Sequence, residues 1–519
     1  MKCFVLRRLI LACLLGAFIS LFLSSCSDSD SGDVPATAVK SSDWLLVLYL
    51  DGDSDLNDIG WANLVEAELA LAELKTRAAG GEAVPSISVV VLWDGLNKDK
   101  DEASRKKFAT TTRLHPDGAI FELGPSDGYR ASDKNWYLSS NTIELTSTAA
   151  DWLPKEPNMN DASTLANFLT WVKKRYAAKN VVLGISNHGS GTDYETTSGG
   201  ANRSICSDED TTKGSGMLTT TDIKQALNSS GFRPHVIWMD SCLQASCEIA
   251  YELRGYADSL VSSASISLAN NYNLIIDNIS KTNTYADFVL YVVSSYRWEN
   301  FKIANPRTDT LAWENCASAY KAMSQVGIDL NVAKQEALHS AVENLASSLL
   351  TNERDRLKAI YDSYLFQDAN NESNCKGWVY SGSFAFLADL GYFCYQLYND
   401  GSLANVGVSD ATITKAVELD EALAAVIRSS WVGKRKTGEN EKSLYRWNVL
   451  WTNNLPEAVE FGDGATDPNK KNWVFGPTIA IKAYGTDDKA GSRIDTDYNA
   501  VTGYSSKWGE LLKAWHSNK

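Results

Sequence analysis

Near-continuous apolar runs, separated by segments of helical periodicity, constrain this chain more than anything else in it. The runs are "WLLVLYL" (44–50), "SISVVVLW" (86–93), "NVVLGIS" (180–186), "HVIWMD" (235–240) and "SLVSS" (259–263). Between them lie "LVEAELALAEL" (64–74), "DASTLANFLTWVKKRYA" (161–177), "LTTTDIKQAL" (218–227) and "QASCEIAYELRGYA" (244–257), each with apolar residues at helical spacing. A strand apolar on both faces is buried on both faces. Strands of that kind alternating with helices predict an α/β fold, a mostly parallel sheet covered by helices on each side. Right-handed crossovers then bring every strand's C-terminal end to one edge, where open sheets bind ligands.

The helix boundaries carry their own signals. Asp161 or Ser163 is a candidate N-cap, and Lys173, Lys174 and Arg175 lie where the C-terminal dipole favours cations. A Thr cap precedes the segment at 218–227. The second half changes character. Residues 310–365 are expected to be mostly helical, "NWVFGPTIAIKAYG" (472–485) a strand, and "SSKWGELLKAWH" (505–516) a short amphipathic helix. A boundary near residue 300 is expected, dividing a domain at 44–300 from a helix-rich region at 301–519. No internal repeat is visible.

Reactive side chains at the strand ends come next. The chain has five histidines. His115 lies in a turn-like "LHPDG", His235 opens its strand at the wrong end, His339 sits in a helical segment and His516 close to the C-terminus. Only His188 follows directly on an apolar strand, in "VVLGISNHGSG", where Gly189 and Gly191 leave the backbone accessible. Among cysteines, Cys242 follows "HVIWMD" by one residue and is expected at a strand-to-helix turn, where a helix N-terminus lowers a thiol's pKa. Cys247 falls inside the following helix and is expected to pack in the core. A thiol beside an imidazole suits nucleophilic acyl transfer, with the backbone N–H groups of Gly189 and Cys242 as candidate oxyanion-hole donors.

The N-terminus bears on location. Lys2, Arg7 and Arg8 precede an apolar stretch, Leu9 to Leu23, too short for a stable membrane span. It ends in "LSSC", Leu23 to Cys26, which resembles the lipobox of bacterial lipoproteins. That resemblance implies a signal peptide at 1–25, lipidation of Cys26 and a membrane anchor without a span. Residues 26–43 are expected to form a solvated tether. The acids after Cys26 resemble surface-export signals, so a cell-envelope or cell-surface location is expected. A formal charge of −15 argues against a nucleic-acid partner. The remaining cysteines show no C-x-x-C pair, so neither a zinc site nor a disulfide framework is expected; a single Cys375–Cys394 bridge stays open.

"GISNHGSGT" and "WMDSCLQASCEIAYEL" resemble the histidine and cysteine motifs of clostripain-like cysteine peptidases. "WLLVLYLDGDSDLND", the helix before the histidine strand and "GPTIAIKAYG" extend the resemblance across roughly 44–515. It implies a caspase-like three-layer α/β/α sandwich and an endopeptidase acting on proteins or peptides. It implies His188 as general acid/base, Cys242 as nucleophile and Asp240 as a substrate-pocket residue, though Asp240 also reads as a helix N-cap. Such peptidases usually cleave after Arg or Lys, and many cut themselves between the two motifs. Here that segment (193–217) reads as an exposed loop with Arg203 and Lys213 as candidate self-cleavage sites. The stretch "ASISLANNYNLIID" departs from the pattern, because Ala264 and Ser265 stand where acids are usual. An inactive surface lipoprotein of the same fold, binding a polymer or partner, is the alternative reading. No cofactor is expected to be required, and the protein is expected to be a monomer. Some clostripain-like enzymes respond to calcium. "DGDSDLND" (51–58) and "SDED" (207–210) are the acidic clusters concerned, read first as solvated loops and second as calcium sites. Sixteen Trp and twenty-two Tyr raise the possibility of glycan stacking, but Trp44, Trp93 and Trp238 lie in strand patterns and are expected to pack inside.

Overall fold

The computed structural model describes residues 39–54, 56–95, 118–126, 138–193, 202–206, 208, 217–264, 267, 270–295, 324–360, 387–399, 407–432, 449–452, 459–460, 477–480, 498 and 504–517. Strands β1 (Lys40–Gly52), β2 (Ile87–Gly95), β3 (Ala119–Glu122) and β4 (Ile143–Glu144) come first, with helix α1 (Asn57–Ala79) between β1 and β2. Helix α2 (Ala162–Arg175) runs directly into β5 (Tyr176–Ser186). Strands β6 (Gly189–Asp193), β7 (Asn202–Ile205) and β8 (Leu218–Thr219) form a small sheet of their own. The chain continues through α3 (Thr220–Ser230), β9 (Val236–Asp240), α4 (Cys247–Glu252), β10 (Ser259–Ser262), α5 (Tyr272–Ser280) and α6 (Tyr285–Ser295). Then follow β11 (Ser324–Asp329), α7 (Val332–Asn352), β12 (Leu387–Asp389), α8 (Leu390–Asn399), α9 (Asp410–Val426), β13 (Ile427–Val432), β14 (Val449–Thr452), β15 (Val459–Glu460), β16 (Thr478–Ala480) and α10 (Ser506–Ser517).

The main sheet has the order β15-β14-β13-β11-β10-β9-β5-β1-β2-β3-β4. Its centre, β2-β1-β5-β9-β10, is parallel, as the continuous apolar runs predict. Antiparallel strands flank it on both sides. Alternate residues of β1 serve opposite faces. Leu45, Val47 and Tyr49 pack with Leu165 and Phe168 of α2, Ile223 of α3 and Leu345 of α7. Leu46, Leu48 and Leu50 pack with Trp61 and Leu64 of α1, Ile275 of α5 and Phe288 of α6. These two buried layers make the α/β/α sandwich. Trp44, Trp93 and Trp238 are among the largest fully buried side chains, so they are core, not a sugar platform.

The structure departs from the sequence reading in three places. Residues 310–365 were expected to be mostly helical; Val332–Asn352 is helix α7, but Ser324–Asp329 is strand β11, paired antiparallel with β10. "SQVGID" alternates small and apolar residues without a long apolar run, so its strand character comes from its neighbours. Residue 300 is also no break in the sheet, because β11, β13, β14 and β15 extend it and the described residues from Lys40 onward form one compact unit. The helix expected over 244–257 is shorter, Cys247–Glu252, because Ser246 caps it by accepting a hydrogen bond from the Ile249 N–H. Helix α2 starts on Asp161, which accepts from the Ser163 N–H, and α3 starts on Thr219 in a capping box with Asp222.

Candidate active site

Strands β5 and β9 are parallel neighbours, and their last paired residues are Ser186 and Asp240. His188 and Cys242 each follow that pair by two residues. Both therefore leave the sheet side by side at its C-terminal edge, with neighbouring strands about 4.8 Å apart. Together they line one cavity of about 540 Å³, to which Asp240, Asp51 and Ser267 also contribute. The crossing of the two loops is close. A Cβ on Gly189 would lie 2.2 Å from the Cys242 carbonyl oxygen and 3.1 Å from the Ser241 Cβ, so only glycine fits after the histidine.

Each loop is tied down. The Asn187 side-chain amide donates to the Asp51 carbonyl at 2.8 Å, and the Cys206 N–H donates to the His188 carbonyl at 3.2 Å. Leu243, directly after Cys242, and Cys206 adopt left-handed backbone at φ 64° and 67°. Non-glycine residues hold that conformation at a cost of about 1–2 kcal/mol, and such strain clusters where a side chain must be presented. Cys247 is buried in the core, as its helical position implies.

Cys242 itself is half-buried. The Ser267 N–H donates to its sulfur at 3.2 Å, and the thiol faces the Ser267 carbonyl at 3.5 Å. Cys242 precedes α4 by several residues, so no helix N-terminus acts on it, contrary to the expectation of a lowered pKa. Burial instead pushes the thiol up to about 11, the Ser267 amide partly opposes this, and Asp240 adds to it. The resting thiol is thus neutral at pH 7. Iodoacetamide should alkylate it about 100-fold more slowly than a free cysteine at pH 7.5, with the rate climbing toward pH 11. Because the folded value lies above the unfolded one, the thiol's contribution to stability is complete below about pH 8.5 and is lost as pH rises through about 11. A pH series of alkylation rates checks this; a rate equal to that of free cysteine would refute the buried-thiol geometry.

Asp240 is buried, and the Asn270 backbone and side-chain N–H groups donate to its Oδ1. It is not a helix N-cap, since Ser246 holds that position. Ala264 is buried with its N–H on the Ser324 Oγ at 3.1 Å, and Ser265 lies outside the described residues. Among the described residues lining the cavity, Asp51 is a second carboxylate-bearing residue beside Asp240. Arg203 lies in β7, the middle strand of the small sheet, where residues 202–205 pair with β6; the open loop expected there is a ladder at this point. Lys213 and Cys26 lie outside the described residues. Ser267, Asn270 and Asn187 were not singled out from the sequence. Each is an ordinary polar residue whose role comes from a contact across the fold. The acidic segments also differ from the solvated loops expected: Asp51, Asp53 and Asp208 are buried.

A sequence model of the clostripain family matches residues 63–442. No curated protein matches. Among solved structures, a secreted C11 cysteine protease from Bacteroides thetaiotaomicron called iotapain is 16% identical, with a TM-score of 0.45, over 77% of this chain and 89% of that one. A secreted C11 cysteine protease from the same organism, in complex with an irreversible peptide inhibitor, is 14% identical, with a TM-score of 0.49, over 91% and 99%. An inactive zymogen C11 protease from Parabacteroides distasonis is 14% identical, with a TM-score of 0.47, over 94% and 97%.

Proposed function

The chain belongs to the clostripain family of cysteine peptidases, and we propose on that premise that Cys242 is its nucleophile and His188 its general acid/base. The observation that carries this reading is the single cavity lined by both residues at adjacent parallel-strand ends. The imidazole of His188 takes the thiol proton as sulfur attacks the scissile carbonyl, so a standing thiolate is unnecessary. The backbone N–H groups of Gly189 and Cys242 are assigned to the oxyanion. His188 then protonates the leaving amine, and water hydrolyses the thioester.

The buried Asp240 carboxylate supports cleavage after Arg or Lys, with Asp51 as the second acid at the cavity wall. A peptide library varied at the residue before the cut tests this. Asp240→Asn should lose about 100-fold in kcat/KM for Arg and Lys peptides and change little for uncharged ones. A uniform loss across all peptides would reduce Asp240 to a structural role.

Self-processing fits Lys213 better than Arg203, because a cut at Arg203 requires β7 to leave its ladder. Intact-mass analysis reads the site directly. The "LSSC" sequence supports lipidation at Cys26 and a cell-envelope location. Among the described residues no helix is long and apolar enough to cross a membrane.

A further inference from the structure

Beside Asp240 lies a buried polar atom that the catalytic steps leave unused. Tyr272 opens α5 and is 2% exposed, its ring 5.0 Å from that of Trp238. Its backbone N–H donates to the Glu66 Oε2 at 3.2 Å. Its hydroxyl has no hydrogen-bond partner among the described residues, although Asp240, Ser186 and Asn63 are near enough to act on it. Those three residues line the cavity that Cys242 and His188 share. Buried hydroxyls are normally paired, because an unmade hydrogen bond forfeits what water supplied to the unfolded chain. Burial first, and then the Asp240 charge, pushes the phenol's pKa well up, so Tyr272 stays a neutral O–H with lone pairs to offer.

The neighbouring acids are partly committed. Asp240 Oδ1 accepts twice from Asn270, from its backbone N–H at 3.2 Å and its side-chain amide at 2.5 Å. Asp51 Oδ1 accepts from the Asp53 N–H at 3.1 Å. With one oxygen of each carboxylate engaged, neither offers the pair of equal oxygens that a guanidinium fork matches best. An ammonium is a compact point charge whose donors point in separate directions, so single acceptors on different groups suit it. Leu50, Leu56 and Ile59 line the same cavity and give a methylene stem an apolar wall.

We propose that Tyr272 is a specificity-determining partner of Asp240, and that the two select lysine over arginine at the residue before the cut. An ammonium seated between Asp240, Ser186 and Asn63 donates to the Asp240 carboxylate and to the Tyr272 hydroxyl oxygen, while the Tyr272 O–H points to Asp240. The phenol stands in for the acid that the sequence lacks at 264 and 265, and it does so without burying a second charge. A guanidinium at the same place would leave N–H groups buried without acceptors. The inference rests on the reading that this cavity takes the side chain of the scissile residue.

The experiment reads binding as well as turnover. Calorimetry on the Cys242→Ala protein uses acetylated tetrapeptide amides ending in lysine, arginine or norleucine. The lysine peptide should bind at least about tenfold more tightly than the arginine peptide. Tyr272→Phe in that background removes one oxygen and keeps the ring. It should weaken the lysine peptide about tenfold, shift the norleucine peptide less than about twofold, and leave the thermal midpoint unchanged or higher. The enzyme with Cys242 intact should show the same ratios in kcat/KM. Equal or undetectable binding of the lysine and arginine peptides overturns the inference. So does a Tyr272→Phe protein that keeps the full lysine preference, or one that loses all three peptides together with its midpoint. Asp240→Asn separates the inference from its premise. If that change leaves lysine binding untouched, the cavity does not take the scissile side chain and both fall. If it removes the lysine preference while Tyr272→Phe does not, only the Tyr272 assignment falls.

Discussion

Replacing Cys242 by alanine should lower kcat/KM for peptide cleavage by at least about 10⁴-fold, while leaving the thermal midpoint near that of the wild type. The sulfur contributes little to packing, since Cys242 is half-buried and its described polar partner is the Ser267 backbone. Its loss removes the only atom assigned to bond with the substrate carbon. His188→Ala should fall by a similar factor, and the double variant should be no worse than either. Groups that act on one bond as a unit do not lose activity additively. Cys247→Ala is the control: it lies in the core beside Ile249 and Ala250, so it should cost about 1 kcal/mol of stability and keep its kcat. Kinetics on a fluorogenic peptide, with midpoints measured in parallel, separate the two cysteines. Wild-type turnover by Cys242→Ala would falsify the assignment and bring the binding-protein reading forward.

The sheet was readable because its strands announce themselves. Val47 and Val89 to Val91 belong to runs too apolar to face water on either side, which fixes a covered parallel sheet and therefore the edge where His188 and Cys242 emerge. Asp161 and Thr219 were readable as caps because capping is local chemistry. What lay beyond sequence was set by contacts between distant segments. Ser324–Asp329 looks nondescript alone and becomes a strand only by pairing with β10. The Cys242 pKa was misjudged because the helix starts later than its apolar spacing suggests, so burial governs the thiol. The acids of "DGDSDLND" and "SDED" looked solvated because a run of carboxylates normally is. That Asp53 and Asp208 meet Glu156 from a third segment is a property of topology.

Gly189→Ala should lower turnover about 100-fold, although the residue carries no side chain. The added Cβ would meet the Cys242 carbonyl oxygen at 2.2 Å, the Gln244 Nε2 at 2.8 Å and the Ser241 Cβ at 3.1 Å. Gln244 is fully buried, and the other two atoms belong to the loop that presents the thiol, so no flexible side-chain end is available to yield. One of the two strand-end loops must move by about 1 Å. A shift of that size at reacting groups costs about 100-fold in rate, and the overpacking should cost about 1–3 kcal/mol of stability. Gly81→Ala gives the comparison, because Gly81 has φ 90° but nothing within 4 Å of its built Cβ. It should pay only the backbone cost of about 1–2 kcal/mol and leave kcat unchanged. Separate measurement of kcat and KM decides the case: a displaced nucleophile lowers kcat with little change in KM, whereas a collapsed cavity raises KM as well. Full activity in Gly189→Ala would mean that the loops do not cross this closely in solution. The same close crossing explains why the histidine motif carries glycine immediately after its histidine: the second loop occupies the space that any side chain would need.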